Sequence, residues 1–170
     1  FMDSDESIGH LMPKIIYPDG SVQYLCKLIP TPLDLIIRLF FPRIFFKKKR
    51  HNFELRFTNY EKIMEVPYLS GCFMFLRNSA LKKVGLFDDN FFMYPEDIDL
   101  TRRINENYKT IFYPHSEVVH QHAKESFKNY KLLISHIINI FKYFNKWGWF
   151  FDSKRKNTNN RIYTELKTIN

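Results

Sequence analysis

Hydrophobic and polar positions along the chain change period several times, and each change predicts an element. Ile15-Ile16-Tyr17 and Val22-Gln23-Tyr24-Leu25 are β-formers flanking Pro18-Asp19-Gly20-Ser21, the pattern of a hairpin. A largely apolar run, Leu33 to Phe41 with Asp34 and Arg38 within it, is followed by Pro42, by Arg43-Ile44-Phe45-Phe46 and by the cations Lys47-Lys48-Lys49-Arg50. Tyr68 to Arg77 reads as a strand, after which Asn78 caps a short helix, Ser79 to Val84, that Gly85 ends. A helix is predicted from Pro95 to Asn107, with short strands at Ile111 to Tyr113 and Glu117 to His120 separated by Pro114. From Glu125 to Trp147 a long helical pattern carries Phe127, Leu133, Ile134, Ile137, Ile138, Phe141 and Phe144, and Lys154 to Asn160 reads as a polar, mobile tail. Strands alternating with helices predict an α/β domain.

The helix at Pro95 has an uneven distribution of charge. Proline suits the first helical position, and acidic residues in the first turn complement the positive end of the helix dipole. At about 100° per residue, Asp97, Leu100, Thr101, Ile104 and Tyr108 form one stripe, which directs Asp97 inward or into a cleft. Asp99 falls on the opposite side, where Arg103 at i+4 pairs with it, and Glu96 lies about one-third of a turn from the stripe. An inward carboxylate at a helix start serves either as a general base or as a cap on free backbone N–H groups, and the motif alone favours the cap.

His120 closes its strand, and alternation puts His122 on the same face, so either imidazole is a candidate ligand; His115 is set apart by a loop. One histidine needs further oxygen ligands to hold a divalent cation. Asp3-Ser4-Asp5 has the spacing of a metal-binding acidic pair but lacks the buried apolar strand that should precede one, and there is no Gly-rich phosphate loop.

Composition adds bounds to this picture. The 170 residues are enough for one domain with a core, and 18 Phe and 10 Tyr against 5 Gly bring apolar area that must be buried in the protein, a partner or a membrane surface. A formal charge of +8 favours anionic partners without choosing among them, and without a recognisable module it gives nucleic acid the weakest claim. Cys26 and Cys72 form no CxxC pair, which suits a reducing, cytosolic setting. No stretch has the roughly 18 to 20 uncharged apolar residues of a membrane span. The segment from Leu33 to Arg50 is instead either an interfacial anchor, apolar face in the lipid and cations on acidic headgroups, or a core helix followed by a solvated basic loop.

Several segments in chain order resemble glycosyltransferase family 2, and within it the bacterial rhamnosyltransferases of O-antigen and cell-surface polysaccharide synthesis. Ile8-Gly9, Met12-Pro13-Lys14-Ile15 and Asp19-Gly20-Ser21-Val22-Gln23 are similar to the family's stretch after its metal-binding motif. Ser70-Gly71-Cys72-Phe73-Met74-Phe75-Leu76-Arg77, Val84-Gly85-Leu86-Phe87-Asp88 and Phe91-Phe92-Met93-Tyr94 resemble its acceptor-binding stretch. Glu96-Asp97-Ile98-Asp99-Leu100, Arg103 and Pro114 to His120 follow, and Tyr143-Phe144-Asn145-Lys146-Trp147-Gly148 resembles its C-terminal helix.

The resemblance implies the acceptor-side, C-terminal part of a GT-A type mixed-sheet domain over residues 1–124, with an amphipathic helix and polar tail over 125–170. It implies an inverting transfer of a sugar, rhamnose by analogy, from a nucleotide-sugar donor to a saccharide or polyprenyl-linked acceptor. Asp97 would be the base, with Glu96 beside it; Gly71, Tyr94, Asp99 and Arg103 would bind substrate; His120 would join a divalent cation, Mg or Mn. The nucleotide-binding half, with the main metal carboxylates, is expected to precede Phe1, so this chain alone is expected to be inactive. Location at the cytoplasmic face of the bacterial membrane follows from such an acceptor. The alternative is a peripheral module that binds an anionic surface without catalysis.

Overall fold

The computed structural model describes residues 1–40, 46–92, 94–121 and 130–169. Its centre is a four-stranded mixed sheet of order β3-β6-β1-β5, in which β1 (Ile8–Ile16) runs parallel to β6 (Lys109–Val119). The flanking β3 (Met64–Glu65) and β5 (Phe75–Leu76) are antiparallel to their neighbours. A second pair joins β2 (Cys26–Lys27) to β4 (Tyr68–Leu69). Parallel strands occur where both faces are covered, and Ile8, Met12, Ile15 and Phe112 are fully buried in the middle of the sheet.

The helix α4 (Glu96–Asn105) lies directly on β1. A Cβ on Gly9 would stand 2.7 Å from both Ile104 Cγ2 and Tyr108 Cβ, so only glycine allows this approach. The expected stripe of Leu100, Thr101 and Ile104 is buried there. A second apolar cluster joins Ile98, Tyr68 and Phe91 to Leu35 of α1 (Pro32–Phe40) and to Ile140, Tyr143 and Phe144 of α5 (Tyr130–Trp147).

Four expectations are corrected. The turn at Pro18 to Ser21 forms, with Gly20 N–H donating to Tyr17 O at 2.9 Å, but the return segment makes a single bridge, Ile16 to Val22. It then leaves β1, and Cys26-Lys27 pairs with β4 instead. The strand predicted over Tyr68 to Arg77 is two strands in different sheets, β4 and β5, broken by the turn around Gly71. Pro114 does not end a strand: β6 continues through a bulge in which the register jumps from Pro13–Tyr113 to Lys14–Glu117. The polar tail is helix α6 (Ser153–Ile169), because Ile162 and Leu166, four residues apart, insert into the main core, and Asn159 exchanges two hydrogen bonds of 2.9 Å with the backbone of Ile29.

The basic run is likewise helical, in α2 (Lys47–Phe53), with Lys49 paired to Asp34 at 3.0 Å and Arg50 to Glu54 at 2.9 Å. The short helix after β5 is α3 (Asn78–Val84), where Asn78 is the first helical residue and Arg77 precedes it without a side-chain cap. Pro42, Met93, His122 and the predicted helix start at Glu125 and Phe127 lie outside the described residues. Among the described residues, no helix is long and apolar enough to cross a membrane.

Candidate active site

The three acids at the start of α4 have three different environments. Asp97 is half-buried at the edge of the turn between β4 and β5. Its Oδ2 accepts from the Gly71 N–H at 2.8 Å and from the Tyr68 hydroxyl at 3.1 Å, and its Oδ1 accepts from the Ile98 N–H at 2.8 Å. Those donors come from two elements, β4 with its following turn and α4 itself, so the carboxylate's orientation depends on tertiary structure and not on a helix cap alone. A Cβ at Gly71 would stand 2.9 Å from Asp97 Cβ, which explains the glycine: backbone and carboxylate touch.

Glu96 is next to it and half-buried, and its Oε2 is buried with no hydrogen-bond partner among the described residues. Burial, and then the Asp97 charge, push its carboxyl up from the ordinary 4.5 to about 7. The folded protein therefore holds this proton more tightly than the unfolded chain. Its stabilising contribution is present below pH 4.5 and is lost as pH rises through about 7. Glu96→Gln should remove that slope and leave the protein more stable than wild type at pH 8, by about 1–2 kcal/mol after solvent screening. Urea midpoints at pH 5 and pH 8 check this, and an unchanged slope in the variant would exclude it.

Asp99, opposite Asp97 on the helix, is fully buried. The pairing with Arg103 is present, Nε to Oδ2 at 2.8 Å, but α5 covers this face of α4 as well. Trp147 Nε1–H donates to Asp99 Oδ1 at 2.7 Å and Lys146 Nζ lies 2.8 Å from the same oxygen. Arg103 further donates to the carbonyls of Val84, Gly85 and Leu86, closing the end of α3. Both side chains are engaged within the protein, Asp99 by Arg103, Trp147 and Lys146, and Arg103 by Asp99 and three carbonyls.

Tyr94 adopts a left-handed backbone, φ 67°, and its ring stacks on His136 of α5 with centroids 3.8 Å apart. Its carbonyl accepts from the Glu96 N–H, so the bend at Tyr94-Pro95 sets where α4 begins. His120 lies at the far end of β6, where its Nδ1 is 3.1 Å from Gln23 Oε1 and its carbonyl accepts from Gln23 Nε2 at 2.5 Å. That pairing has Nδ1–H donating to the Gln23 amide oxygen. The alternative ligand, His122, is outside the described residues. Among the described residues, no group of three or more His, Cys, Asp or Glu could hold a metal ion.

Sequence reasoning passed over Tyr68 and His10. Tyr68 sits in an apolar strand where nothing marks its hydroxyl, although its place three residues before Gly71 puts it on the same turn. His10 is wholly buried in β1, 3.4 Å from Thr101 Oγ1, and burial pushes it down to about 3, so it is a neutral core residue.

This mixed α/β architecture with helices appended at its C-terminal end is consistent with part of a GT-A domain, and its acidic helix start faces a glycine turn. The chain is 32% identical over 120 residues to the N-acetylglucosaminyl-diphospho-decaprenol L-rhamnosyltransferase of Mycobacterium tuberculosis, in strain CDC 1551 / Oshkosh and equally in strain ATCC 25618 / H37Rv. The match takes in 68% of this chain but 38% of each relative, so the chain spans well under half the length of the curated relatives it matches. No family model and no solved structure matches. The resemblance read from the motifs is thus to a rhamnosyltransferase.

Proposed function

We propose that this chain is the acceptor-side part of an inverting glycosyltransferase that moves rhamnose from a nucleotide-diphosphate sugar to a lipid-linked saccharide in bacterial cell-surface polysaccharide synthesis. One observation carries the reading: the carboxylate of Asp97, the residue that the resemblance would make the base, is held by Gly71, Tyr68 and Ile98 at the edge of a turn. The relatives' name, with its diphospho-decaprenol acceptor and rhamnosyl group, supports the substrate class.

In this reading an acceptor hydroxyl docks against the Asp97 carboxylate and gives up its proton to it. The acceptor oxygen forms a bond to the anomeric carbon as the bond to the diphosphate breaks, and the electron pair leaves with the diphosphate. Attack opposite the leaving group inverts the anomeric centre. Glu96 in its protonated form adds no second charge beside the base, and Tyr94 sets the start of the helix that carries both. Among the described residues His120 belongs to no group of three or more side chains that could hold a divalent cation, and it would be this chain's contribution to one that neutralises the departing diphosphate.

The test is product stereochemistry. The full-length gene product that contains this chain is given nucleotide-diphosphate rhamnose and a polyprenyl-diphosphate N-acetylglucosamine, and the new linkage is assigned by NMR. Rhamnose joined with configuration opposite to the donor is the expected result. Retained configuration, or no transfer, sinks the reading.

A further inference from the structure

One side of α5 is packed and the other is apolar but uncovered. His136, Asn139, Ile140, Tyr143 and Phe144 face the protein. At about 100° per residue, Tyr130, Phe141, Ile134 and Ile138 fall within about 80° of one another on the outer side, and all four are exposed. Lys131 and Lys142 lie next along the same circumference, on one flank of this stripe.

Two loops extend the stripe into a ridge. After α5 the chain turns and leaves Phe150 and Phe151 80% and 99% exposed, and Trp149 packs on Phe141 with centroids 5.1 Å apart, which ties this turn to the stripe. Lys142 Nζ donates to Asn90 O at 2.9 Å, bringing alongside the loop that carries Phe92, itself 78% exposed. Soluble proteins scatter exposed apolar residues singly, whereas here four share one helix face and Phe92, Phe150 and Phe151 stand exposed on loops tied to that helix.

Charge decides what covers such a ridge. A second copy, docked by its own ridge, would bring lysine flank toward lysine flank between chains of formal charge +8. An anionic bilayer accepts both features at once, apolar rings in the headgroup–acyl boundary and ammonium groups at the phosphates. We propose that Phe150, Phe151 and the outer stripe of α5 form a membrane-docking ridge for an anionic lipid surface, with Lys131 and Lys142 at headgroup level. The proposal puts the principal lipid contact away from the segment at Leu33 to Arg50, for which an interfacial anchor was one of two readings of the sequence. It does not rest on the transferase reading.

The experiment is co-sedimentation of the full-length gene product with phosphatidylcholine vesicles, with and without about one-third phosphatidylglycerol, at low and high salt. Wild type should bind the anionic vesicles, bind neutral ones weakly, lose binding at high salt, and show a blue shift of Trp149 fluorescence. Phe150→Ser with Phe151→Ser should lower binding at least about tenfold, and Lys131→Glu with Lys142→Glu should abolish the preference for anionic lipid. Unchanged binding in the phenylalanine variant overturns the proposal. So does a wild type that ignores vesicles but forms a concentration-dependent dimer which that variant dissociates, because the ridge then belongs to a second copy. Rhamnose transfer to a water-soluble, short-chain acceptor should survive the phenylalanine substitutions, and its absence in wild type would count against the transferase reading alone.

Discussion

Asp97→Asn should leave a folded protein whose transfer rate is lower by about 10²- to 10⁴-fold, the range that a positioned general base contributes. Asparagine has nearly the same shape, so the contacts around α4 persist. Its amide oxygen can still accept from the Gly71 N–H and the Tyr68 hydroxyl, which leaves the amide nitrogen facing the Ile98 N–H, donor against donor. That local conflict costs about 1–2 kcal/mol of stability, while the loss of basicity acts on kcat. Nucleotide binding, measured by calorimetry, should stay near wild type. Gly71→Ala provides the geometric control. Its new methyl would lie 2.9 Å from Asp97 Cβ, so the carboxylate must shift while remaining a carboxylate, and a loss of about tenfold to a hundredfold is expected. Initial rates on full-length protein decide the matter. An Asp97→Asn enzyme that kept a tenth or more of wild-type kcat would take the base away from this residue.

The inward position of Asp97 was legible because helical phase is a local property: Asp97 at i with Leu100, Thr101 and Ile104 at i+3, i+4 and i+7 fixes one face of α4 wherever the helix sits. Asp99 was not legible by the same reasoning. Phase put it opposite Asp97, correctly, but whether that side meets water depends on α5, more than 40 residues later in the chain, where Trp147 and Lys146 come over it. The C-terminal helix was misread for a related reason. The run Lys154 to Asn160 is polar, but Arg155 is buried and donates to the carbonyls of Gly148 and Trp149, and the apolar anchors Ile162 and Leu166 lie just beyond the run. The break between β4 and β5 was hidden in an apolar stretch, since a turn needed for contact with Asp97 carries only one glycine as its signal. The resemblance to a family carried site information that no pattern could. Its C-terminal segment, Tyr143 to Gly148, turns out to contain the residues that hold α4 from behind.

Asp99→Ala should be the most destabilising single substitution near the site, by about 3–5 kcal/mol, with its effect on stability and not on chemistry. Removing this carboxylate leaves the Arg103 guanidinium and the Lys146 ammonium without their shared counter-charge, and leaves the Trp147 N–H facing an empty site. Of these groups only Lys146, which is exposed, turns readily to water. Arg103 is held by three carbonyls at the end of α3, Lys146 is also paired with Asp88 at 2.7 Å, and the Trp147 ring has the Arg102 guanidinium stacked 4.0 Å away, itself paired with the buried Asp152 at 2.7 Å. The network crosses from α4 to α5, so its loss should loosen the docking of the C-terminal helix. Against a typical total stability of about 5–15 kcal/mol this is a large fraction, and unfolding at 37 °C is the expected phenotype. Lys146→Met in the same chain should recover part of the loss, because it removes one of the two stranded cations; a double-mutant cycle by urea denaturation reads that coupling directly. A penalty below about 1 kcal/mol for Asp99→Ala would mean that water reaches the site and that the network contributes little. Paired with Asp97→Asn, the experiment separates two acids two residues apart: one whose loss should stop transfer in a folded protein, and one whose loss should unfold the helix that carries the first.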